Sequence, residues 1–213
     1  MGQKSNPQAL RTAAPYQQHE SCWYHDKYYS HLLSQDFMIR SYIKKRLKGC
    51  LPSASAKIFL SSSPKELKLR IFSYGHLCPK KKERLKKKSY DISKILKKSS
   101  NTTSFSIQCY QIKNEYKSAL FLANLLTQAI KRKKMMSLPS QLFLRTIKEA
   151  SDFIKGIRVS CVGRFKGSER TRKKKFQWGS TSLHTFSEKI EYSSQSITTS
   201  YGTFGVKVWV CYY

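Results

Sequence analysis

Apolar residues recur at two different spacings in the first half of the chain, and each spacing predicts one type of element. Between residues 39 and 47 they recur every three or four positions, which is typical of a helix. Three strands are predicted at residues 57–60, 67–73 and 105–109. The first follows from a short apolar run, and the other two follow from apolar residues at every second position. The basic stretch 83–97 lies before the third strand and predicts another helix, so the expected order is α-β-β-α-β.

A second group of apolar patterns follows in the other half. A helical stripe covers residues 119–130, and apolar residues at helical spacing over 143–154 predict a further helix that ends at Gly156. Beyond that glycine, residues 157–163 and the alternation over 206–211 predict strands. The second half therefore reads as two helices followed by a sheet.

The two groups predict an α+β fold class with two units that meet near residue 113. We expect a leader at residues 1–38, one unit at 39–113 and a C-terminal α+β unit at 114–213. A chain of 213 residues can bury a substantial core, and its 39% hydrophobic and 13% aromatic content argues against general disorder.

The charge of the chain changes this picture from a fold to a class of partner. Lysine and arginine number 41 against 12 acidic residues, which gives a net charge of +29. Most of the cations must therefore face solvent or a polyanion on another molecule, namely nucleic acid, an anionic membrane or an acidic protein. Residues 39–98 carry +16 of the excess, whereas residues 1–38 are neutral. This balance argues against an ordinary soluble metabolic enzyme.

The basic run at residues 80–88 contains seven cations and only one acid, Glu83. A solvated helix face is the ordinary interpretation of such a run. Here that interpretation is weakened, because so many like charges repel one another unless phosphates neutralise them. The run is therefore a candidate RNA contact, and binding through it should weaken with salt as condensed counterions are released.

A second basic cluster, residues 170–175, is followed by Phe176 and Trp178. Cations beside rings are typical of surfaces that bind phosphates and stack on unpaired bases. The same pattern also fits a hairpin whose rings pack inward and whose lysines are solvated. The sequence favours neither interpretation.

Candidate metal ligands occur only as His19, Cys22, His25 and the nearby His31, without a second ligand pair. Surface histidines are the better interpretation, so no metal site is expected. The six cysteines lie far apart and contain no Cys-x-x-Cys pair, which is typical of reduced thiols.

Catalysis finds no support in the sequence. The acids are scattered and come at most in pairs, such as Glu188 and Glu191, whereas a nuclease needs clustered carboxylates to hold metal ions. The glycine-flanked segment 202–205 introduces a strand and is interpreted as a β-turn. We therefore expect no catalytic residue and no cofactor.

Targeting signals are also missing from the sequence. The N-terminus has no apolar segment typical of a secretory signal, and the longest apolar stretch, 119–130, is too short to span a bilayer. We expect a protein that is not secreted and does not bind a membrane.

Sequence motifs at both ends of the chain match a known pattern. The N-terminal motif is the opening Met1-Gly2-Gln3-Lys4-Ser5-Asn6-Pro7 with Leu10-Arg11. The C-terminal motifs are, in order, Gly156-Ile157-Arg158-Val159, Gly163-Arg164, Gly167-Ser168-Glu169, Leu183-His184-Thr185, Ile190-Glu191-Tyr192 and Tyr201-Gly202-x-x-Gly205-Val206-Lys207-Val208-Trp209. In these residues both ends resemble the ribosomal protein S-three family of bacterial and organellar small subunits, and the C-terminal similarity, in order and spacing, is the closer one.

The resemblance implies an N-terminal type II KH domain, at residues 39–113 here, followed by the family's C-terminal α+β domain. It also implies a place in the head of the small ribosomal subunit. There the protein would bind small-subunit rRNA beside ribosomal proteins S-ten and S-fourteen. With S-four and S-five it would help to line the entrance of the channel for messenger RNA (mRNA). Such a protein would have no catalytic turnover and no dissociable cofactor, and it would not form a homo-oligomer.

Two segments depart from the family's pattern. If Gly75 is the glycine before the KH loop, residues 79–82 (Pro-Lys-Lys-Lys) stand where a Gly-x-x-Gly clamp belongs. Proline lacks the N–H and the backbone freedom that such a clamp uses, so we hypothesise that lysine charge replaces backbone geometry there. Between the two long helices, residues 135–140 lack the family's basic residues, which are displaced to 131–134.

The sequence thus predicts a structural, RNA-binding constituent of the small ribosomal subunit that acts by phosphate neutralisation. The alternatives are a free-standing single-strand RNA-binding protein and an RNA-processing nuclease. The scarcity of alanine and glycine fits an AT-rich genome, so a mitochondrion is the expected location, with plastid or bacterial cytoplasm as alternatives. The candidate RNA-binding residues are Lys44, Lys45, Lys48, Lys80, Lys81, Lys82, Arg84, Lys86, Lys87, Lys88, Lys131, Arg132, Lys133, Lys134, Arg164, Arg170, Arg172, Lys173, Lys174 and Lys175.

Overall fold

The chain folds into two compact units, one formed by residues 18–113 and one by residues 1–17 together with 114–213. We call them the 18–113 unit and the C-terminal unit. The expected leader over residues 1–38 is therefore wrong as a separate segment, because its two halves belong to different units. The computed structural model describes residues 5–15, 19–23, 27–47, 56–63, 65–74, 83, 87, 90–92, 94, 104–112, 118–131, 147–148 and 152–213.

The 18–113 unit is built on a four-stranded sheet in the order β1-β2-β3-β4. Strands β2 and β3 are antiparallel, whereas β1 is parallel to β2 and β4 is parallel to β3. The predicted strands at 57–60, 67–73 and 105–109 are confirmed, each lengthened by a few residues. The elements are β1 (Ser21–Cys22), α2 (Tyr29–Leu47), β2 (Ala56–Ser62), β3 (Glu66–Tyr74) and β4 (Ser104–Ile112), and residues 83, 87, 90–92 and 94 are helical within the predicted basic helix.

Helix α2 begins ten residues before the helix that apolar spacing predicts, and a buried ion pair explains the difference. Asp36 is buried and accepts a hydrogen bond from Arg40 Nε at 2.7 Å. Arg40 also donates to the carbonyl oxygens of Ile58 (2.8 Å) and Glu20 (2.7 Å). These bonds attach the middle of α2 to the edge of the sheet. The apolar pattern could not show them because both partners are charged.

The C-terminal unit contains an antiparallel four-stranded sheet in the order β6-β5-β8-β7. The strands expected at 157–163 and 206–211 are confirmed as β5 and β8, and the predicted helix at 119–130 as α3. Apolar side chains of α3 pack on one face of the sheet, against valines of β8. The elements are α1 (Pro7–Leu10), α3 (Ala119–Lys131), β5 (Ile154–Gly163), a 3₁₀ turn (Phe165–Gly167), β6 (Arg172–Gly179), β7 (Ile190–Thr199) and β8 (Gly202–Tyr212).

The helix predicted over 143–154 is wrong at its C-terminal end. Ile147 and Lys148 are helical, but Asp152 and Phe153 form a turn and Ile154 is the first residue of β5. Ile154 is fully buried opposite Tyr212 on β8. A buried apolar residue satisfies a helical pattern and a strand equally well, so periodicity alone could not place this boundary.

A buried arginine attaches the N-terminal segment to the C-terminal unit. Arg11 is 2% exposed and follows the short helix α1, whose N-cap is Asn6. Its guanidinium donates to the carbonyl oxygens of Pro7 (3.0 Å), Leu183 (3.1 Å), Thr185 (2.7 Å) and Glu188 (3.1 Å). The planar fork of arginine can serve several acceptors at once. This cluster is why residues 1–17 belong to the C-terminal unit rather than to a leader.

The predicted β-turn at the start of the last strand is confirmed. Gly202 has a φ of 116°, which side-chain-bearing residues rarely adopt, and it closes the hairpin between β7 and β8 opposite Thr199. Thr199 Oγ1 donates to the carbonyl oxygen of Gly202 at 2.8 Å. The glycine pair 202–205 is therefore a hairpin feature and not a nucleotide-clamping loop.

Candidate nucleic-acid interface

Strand β6 divides the basic cluster 170–175 between the two faces of the C-terminal sheet. Side chains alternate along a strand, so Lys173 and Lys175 are exposed on one face while Lys174, Phe176 and Trp178 point to the other. Phe176 and Trp178 pack against the hydrophobic core. The structure thus has the hairpin with inward rings, and these two rings do not form a stacking surface for bases.

The exposed face that carries Lys173 and Lys175 is here called the outer sheet face. The register of the four strands arranges its side chains in rows. Two adjacent rows hold three lysines and no carboxylate. Because neighbouring strands are about 4.8 Å apart, the Cα atoms of residues two strands apart in a row lie about 10 Å apart. In the order β6-β5-β8-β7, the rows are Lys175, Ser160, Lys207 and Ser194, and then Lys173, Val162, Gly205 and Ser196.

Two cations of this face, Lys207 and Arg158, are absent from the residues predicted by sequence. Lys207 is exposed on β8, and Arg158 on β5 donates from Nη2 to Gln177 Oε1 at 3.1 Å. The alternation of Lys207 with the buried Val206 and Val208 already indicated its direction. Lys207 stands alone between apolar residues, so no cluster of charges marks it in the sequence.

Lys174 differs in its surroundings from its two neighbours on β6. Its Nζ lies 5.0 Å from the centroid of the Phe165 ring, which is a cation–π distance. It also stands opposite Cys161 on β5, a fully buried residue. Burial raises the pKa of the Cys161 thiol to about 11, with the charge of Lys174 acting in the opposite direction. Lys174 therefore covers the edge of the core.

The three candidate arginines of this region also have different surroundings. Arg164 is half-buried and donates from Nε to the carbonyl oxygen of Ser168 at 2.7 Å, which holds the 3₁₀ turn. Arg170 and Arg172 are exposed, before and at the start of β6. Arg164 thus has a structural partner, whereas Arg170 and Arg172 extend the exposed basic surface along the chain.

The remaining candidates that the structure describes are exposed at helical positions. Lys44 and Lys45 lie in the last turn of α2, Lys131 ends α3, and Lys87 is helical. Cations in a last turn also complement the helix dipole, so their position has a structural benefit as well. Outside the described residues lie Lys48, Lys80, Lys81, Lys82, Arg84, Lys86, Lys88, Arg132, Lys133 and Lys134, together with the segments 79–82 and 135–140.

Rings beside cations, which the sequence suggested near residue 176, occur instead on the sheet of the 18–113 unit. Phe72 on β3 stacks on Tyr110 of β4 at 5.1 Å and meets Phe59 of β2 edge-to-face at 5.3 Å. Arg70 is exposed on the same face, and Tyr110 donates from its hydroxyl to Gln108 Oε1 at 2.7 Å. The three rings come from three strands, so no local sequence pattern could identify them.

Glu188 and Glu191, which lie close together in sequence, both have partners inside the C-terminal unit. Glu188 accepts hydrogen bonds from Lys155 Nζ (2.5 Å) and Cys211 Sγ (3.3 Å). The bond from Lys155 is the main reason that the pKa of Glu188 is lowered. Glu191 accepts from Ser118 Oγ (3.2 Å) and the Tyr212 hydroxyl (2.6 Å). Both carboxylates therefore stabilise the fold.

Among the described residues, no three histidine, cysteine, aspartate or glutamate side chains are grouped closely enough to hold a metal ion. Of the possible ligands near the N-terminus, His25 lies outside the described residues. Within the same described part of the chain, no helix is both long and apolar enough to cross a membrane.

Comparison with known proteins identifies a family for the whole chain. The family model for the ribosomal protein S3, C-terminal domain, matches residues 122–210. The chain is 31% identical over 212 residues to the small ribosomal subunit protein uS3 of Ehrlichia chaffeensis, covering 99% of this chain and 95% of that protein. It is 30% identical to uS3 of Exiguobacterium sibiricum (99% and 93% covered) and 29% identical to uS3c of Guillardia theta (99% and 94% covered). On this similarity, which extends over both units, the chain belongs to the ribosomal protein S3 family.

Proposed function

We propose that this protein is a structural constituent of the small-subunit head and binds small-subunit rRNA by neutralising its phosphates. Family membership makes it a structural, non-enzymatic ribosomal protein. The observation that carries the RNA mechanism is the excess of 41 cations over 12 acids, which the chain cannot neutralise itself. Asp36 and Glu188 already pair with Arg40 and Lys155. These two carboxylates therefore do not neutralise the charge of the exposed lysines.

The mechanism depends on the number of contacts rather than on any single one. A charge-assisted contact to phosphate is modest in water, and each neutralised phosphate releases condensed counterions. Exposed cations occur in both units, from Lys44 and Lys45 on α2 to Lys173 and Lys175 on β6. The helices and sheets of the two units hold these side chains at fixed sites within each unit, so the protein can position rRNA.

The arrangement of the 18–113 unit supports its assignment to a type II KH domain. A helix is followed by two antiparallel strands, by helical positions, and by a strand parallel to the second one. We propose that this unit binds RNA, with lysines 80–82 supplying charge where a clamp of backbone amides would otherwise act. The stacked rings of Phe72 and Tyr110 on its sheet offer a surface to unpaired bases.

For the whole protein we propose the partners that the family resemblance implies. These are ribosomal proteins S-ten and S-fourteen, with S-four and S-five nearby, and mRNA at the entrance of its channel. We further propose a mitochondrial location, supported by the composition of the chain and by its similarity to both bacterial uS3 and the uS3c form. Plastids and the bacterial cytoplasm are the alternative locations.

Sucrose-gradient fractionation of a lysate from mitochondria that contain the tagged chain tests this proposal. The tagged chain should migrate with the small subunit after the subunits are separated at low magnesium. Crosslinking in the same fractions should recover small-subunit rRNA. Recovery only at the top of the gradient would indicate a free-standing RNA-binding protein. Metal-dependent RNA cleavage by the purified chain would indicate a nuclease, and either result would contradict the proposal.

A further inference from the structure

Gly205 occupies a position on the outer sheet face where the described structure does not require glycine. A Cβ atom added at Gly205 would meet nothing within 4 Å, and its φ lies outside the left-handed region. Gly163 on β5 is the opposite case, because a Cβ there would lie 2.2 Å from the ring of Phe204. Glycine inside a strand is destabilising relative to alanine. An unneeded strand glycine often marks the close approach of a ligand or of another backbone.

The neighbours of Gly205 make an anionic ligand the fitting one. Lys173 lies in the same row, and Lys175 and Lys207 lie in the adjacent row. Exposed hydroxyls of Ser194 and Ser196 on β7 complete this side of the two rows. Small uncharged side chains therefore lie between lysines, and the two rows contain no carboxylate that would repel a phosphate.

Exposed rings are missing from these two rows, which separates this face from a base-stacking platform. Phe176 and Trp178 point into the core. Trp209, in the adjoining row of the outer face, is 7% exposed and packs with Tyr192 at a ring distance of 5.3 Å. The face thus offers charge, hydroxyls and bare backbone, which suits the sugar–phosphate backbone rather than a base.

We propose that the outer sheet face binds the sugar–phosphate backbone of RNA, with the closest approach at Gly205. Lys173, Lys175 and Lys207 neutralise the phosphates on either side of that point. This inference deepens the proposed function and rests on it. Contacts of this type position RNA without reading its sequence, so affinity for this face should be independent of base identity.

The test compares variants of the full chain that keep the fold and change one side of the sheet. Gly205→Val places a β-branched side chain in open space, so the protein should fold normally with an equal or higher melting temperature. Lys175→Gln and Lys174→Gln remove the same charge from adjacent residues that point to opposite faces. The second variant is the matched control for net charge.

Fluorescence anisotropy measures binding to short oligouridylate, short oligoadenylate and an RNA duplex of about 16 base pairs, between about 50 and 200 mM KCl. Gly205→Val should weaken binding about tenfold to whichever RNA the wild type binds, equally for both oligonucleotides. Lys175→Gln should reduce the slope of log affinity against log salt by about 0.7–0.9, and Lys174→Gln by clearly less.

Unchanged affinity in Gly205→Val, or equal slopes for the two lysine variants, would overturn the inference while leaving the proposed function intact. A loss confined to one of the two oligonucleotides would also overturn it, because it would show base reading. If the wild type bound none of the three RNAs, the proposed function itself would be contradicted. The lysine pair decides the question even if Gly205→Val does not fold.

Discussion

Replacing Arg11 with alanine tests whether the N-terminal segment is an integral part of the C-terminal unit. The guanidinium donates four hydrogen bonds to carbonyl oxygens, one within its own turn and three in the segment 183–188. It also lies 5.8 Å from the centroid of the Phe186 ring. The substitution removes every one of these contacts and leaves one buried and three partly buried carbonyl oxygens without this donor.

The expected size of the effect follows from these bonds. A hydrogen bond to a charged group contributes about 1.5–3 kcal/mol, but bonds that share one group are not additive. We therefore expect Arg11→Ala to lower the free energy of unfolding of the C-terminal unit by about 3 kcal/mol, the upper end for one such bond. At about 4 °C per kcal/mol, the melting temperature should fall by about 12 °C. Arg11→Lys should recover only part of the loss, since an ammonium group cannot span the same acceptors.

Guanidinium chloride unfolding followed by tryptophan fluorescence measures this loss. Trp178 and Trp209 lie in the C-terminal unit, so a Trp23→Phe background restricts the signal to that unit. Arg170→Ala removes the same charge at an exposed position and is the matched control. A destabilisation below about 1 kcal/mol, equal to that of the control, would refute the reasoning, because exposed charges contribute no more than that.

Three further predictions concern other contacts of the C-terminal unit. Folding lowers the pKa of the Glu188 carboxyl, so this group stabilises the unit above its ordinary pKa near 4.5. That stability is lost as pH falls towards the lowered pKa of the folded state. Unfolding midpoints measured against pH should therefore lose part of their acid dependence in Glu188→Gln but not in Glu169→Gln. Iodoacetamide followed by mass spectrometry of the native protein at mildly alkaline pH should modify the exposed Cys22 and spare Cys161 and Cys211, since burial raises the pKa of both thiols to about 11; equal modification would contradict the buried positions. Gly163→Ala should cost about 1–3 kcal/mol of unfolding free energy through its clash with Phe204, whereas Gly205→Ala should cost nothing, and equal values would contradict the packing at both sites.

Periodicity predicted the elements of this chain where one face is apolar and failed where charge or tertiary packing decides. Strand β3 was predicted correctly because Leu67, Leu69 and Ile71 alternate with polar residues and are all buried. The N-terminal half of α2 was missed because its anchor is the ion pair of Asp36 with Arg40. In the same way, the N-terminal segment looked like a leader because its anchor is a single arginine, and three of its four carbonyl partners lie more than 170 residues away in sequence.

The candidate interface shows the same limit at the level of single side chains. A run such as residues 172–175 suggests one patch of charge, but a strand sends alternate residues to opposite faces. Lys174 therefore lies by the ring of Phe165 while Lys173 and Lys175 remain exposed. The cation that joins them across the sheet, Lys207, stands between two valines and belongs to no charged run. What concentrates positive charge at this surface is the register of β6, β5 and β8, which brings together lysines more than thirty residues apart. The binding surface for a polyanion therefore follows from strand register here. A count of consecutive lysines would include Lys174, which covers the core, and would omit Lys207, which faces solvent.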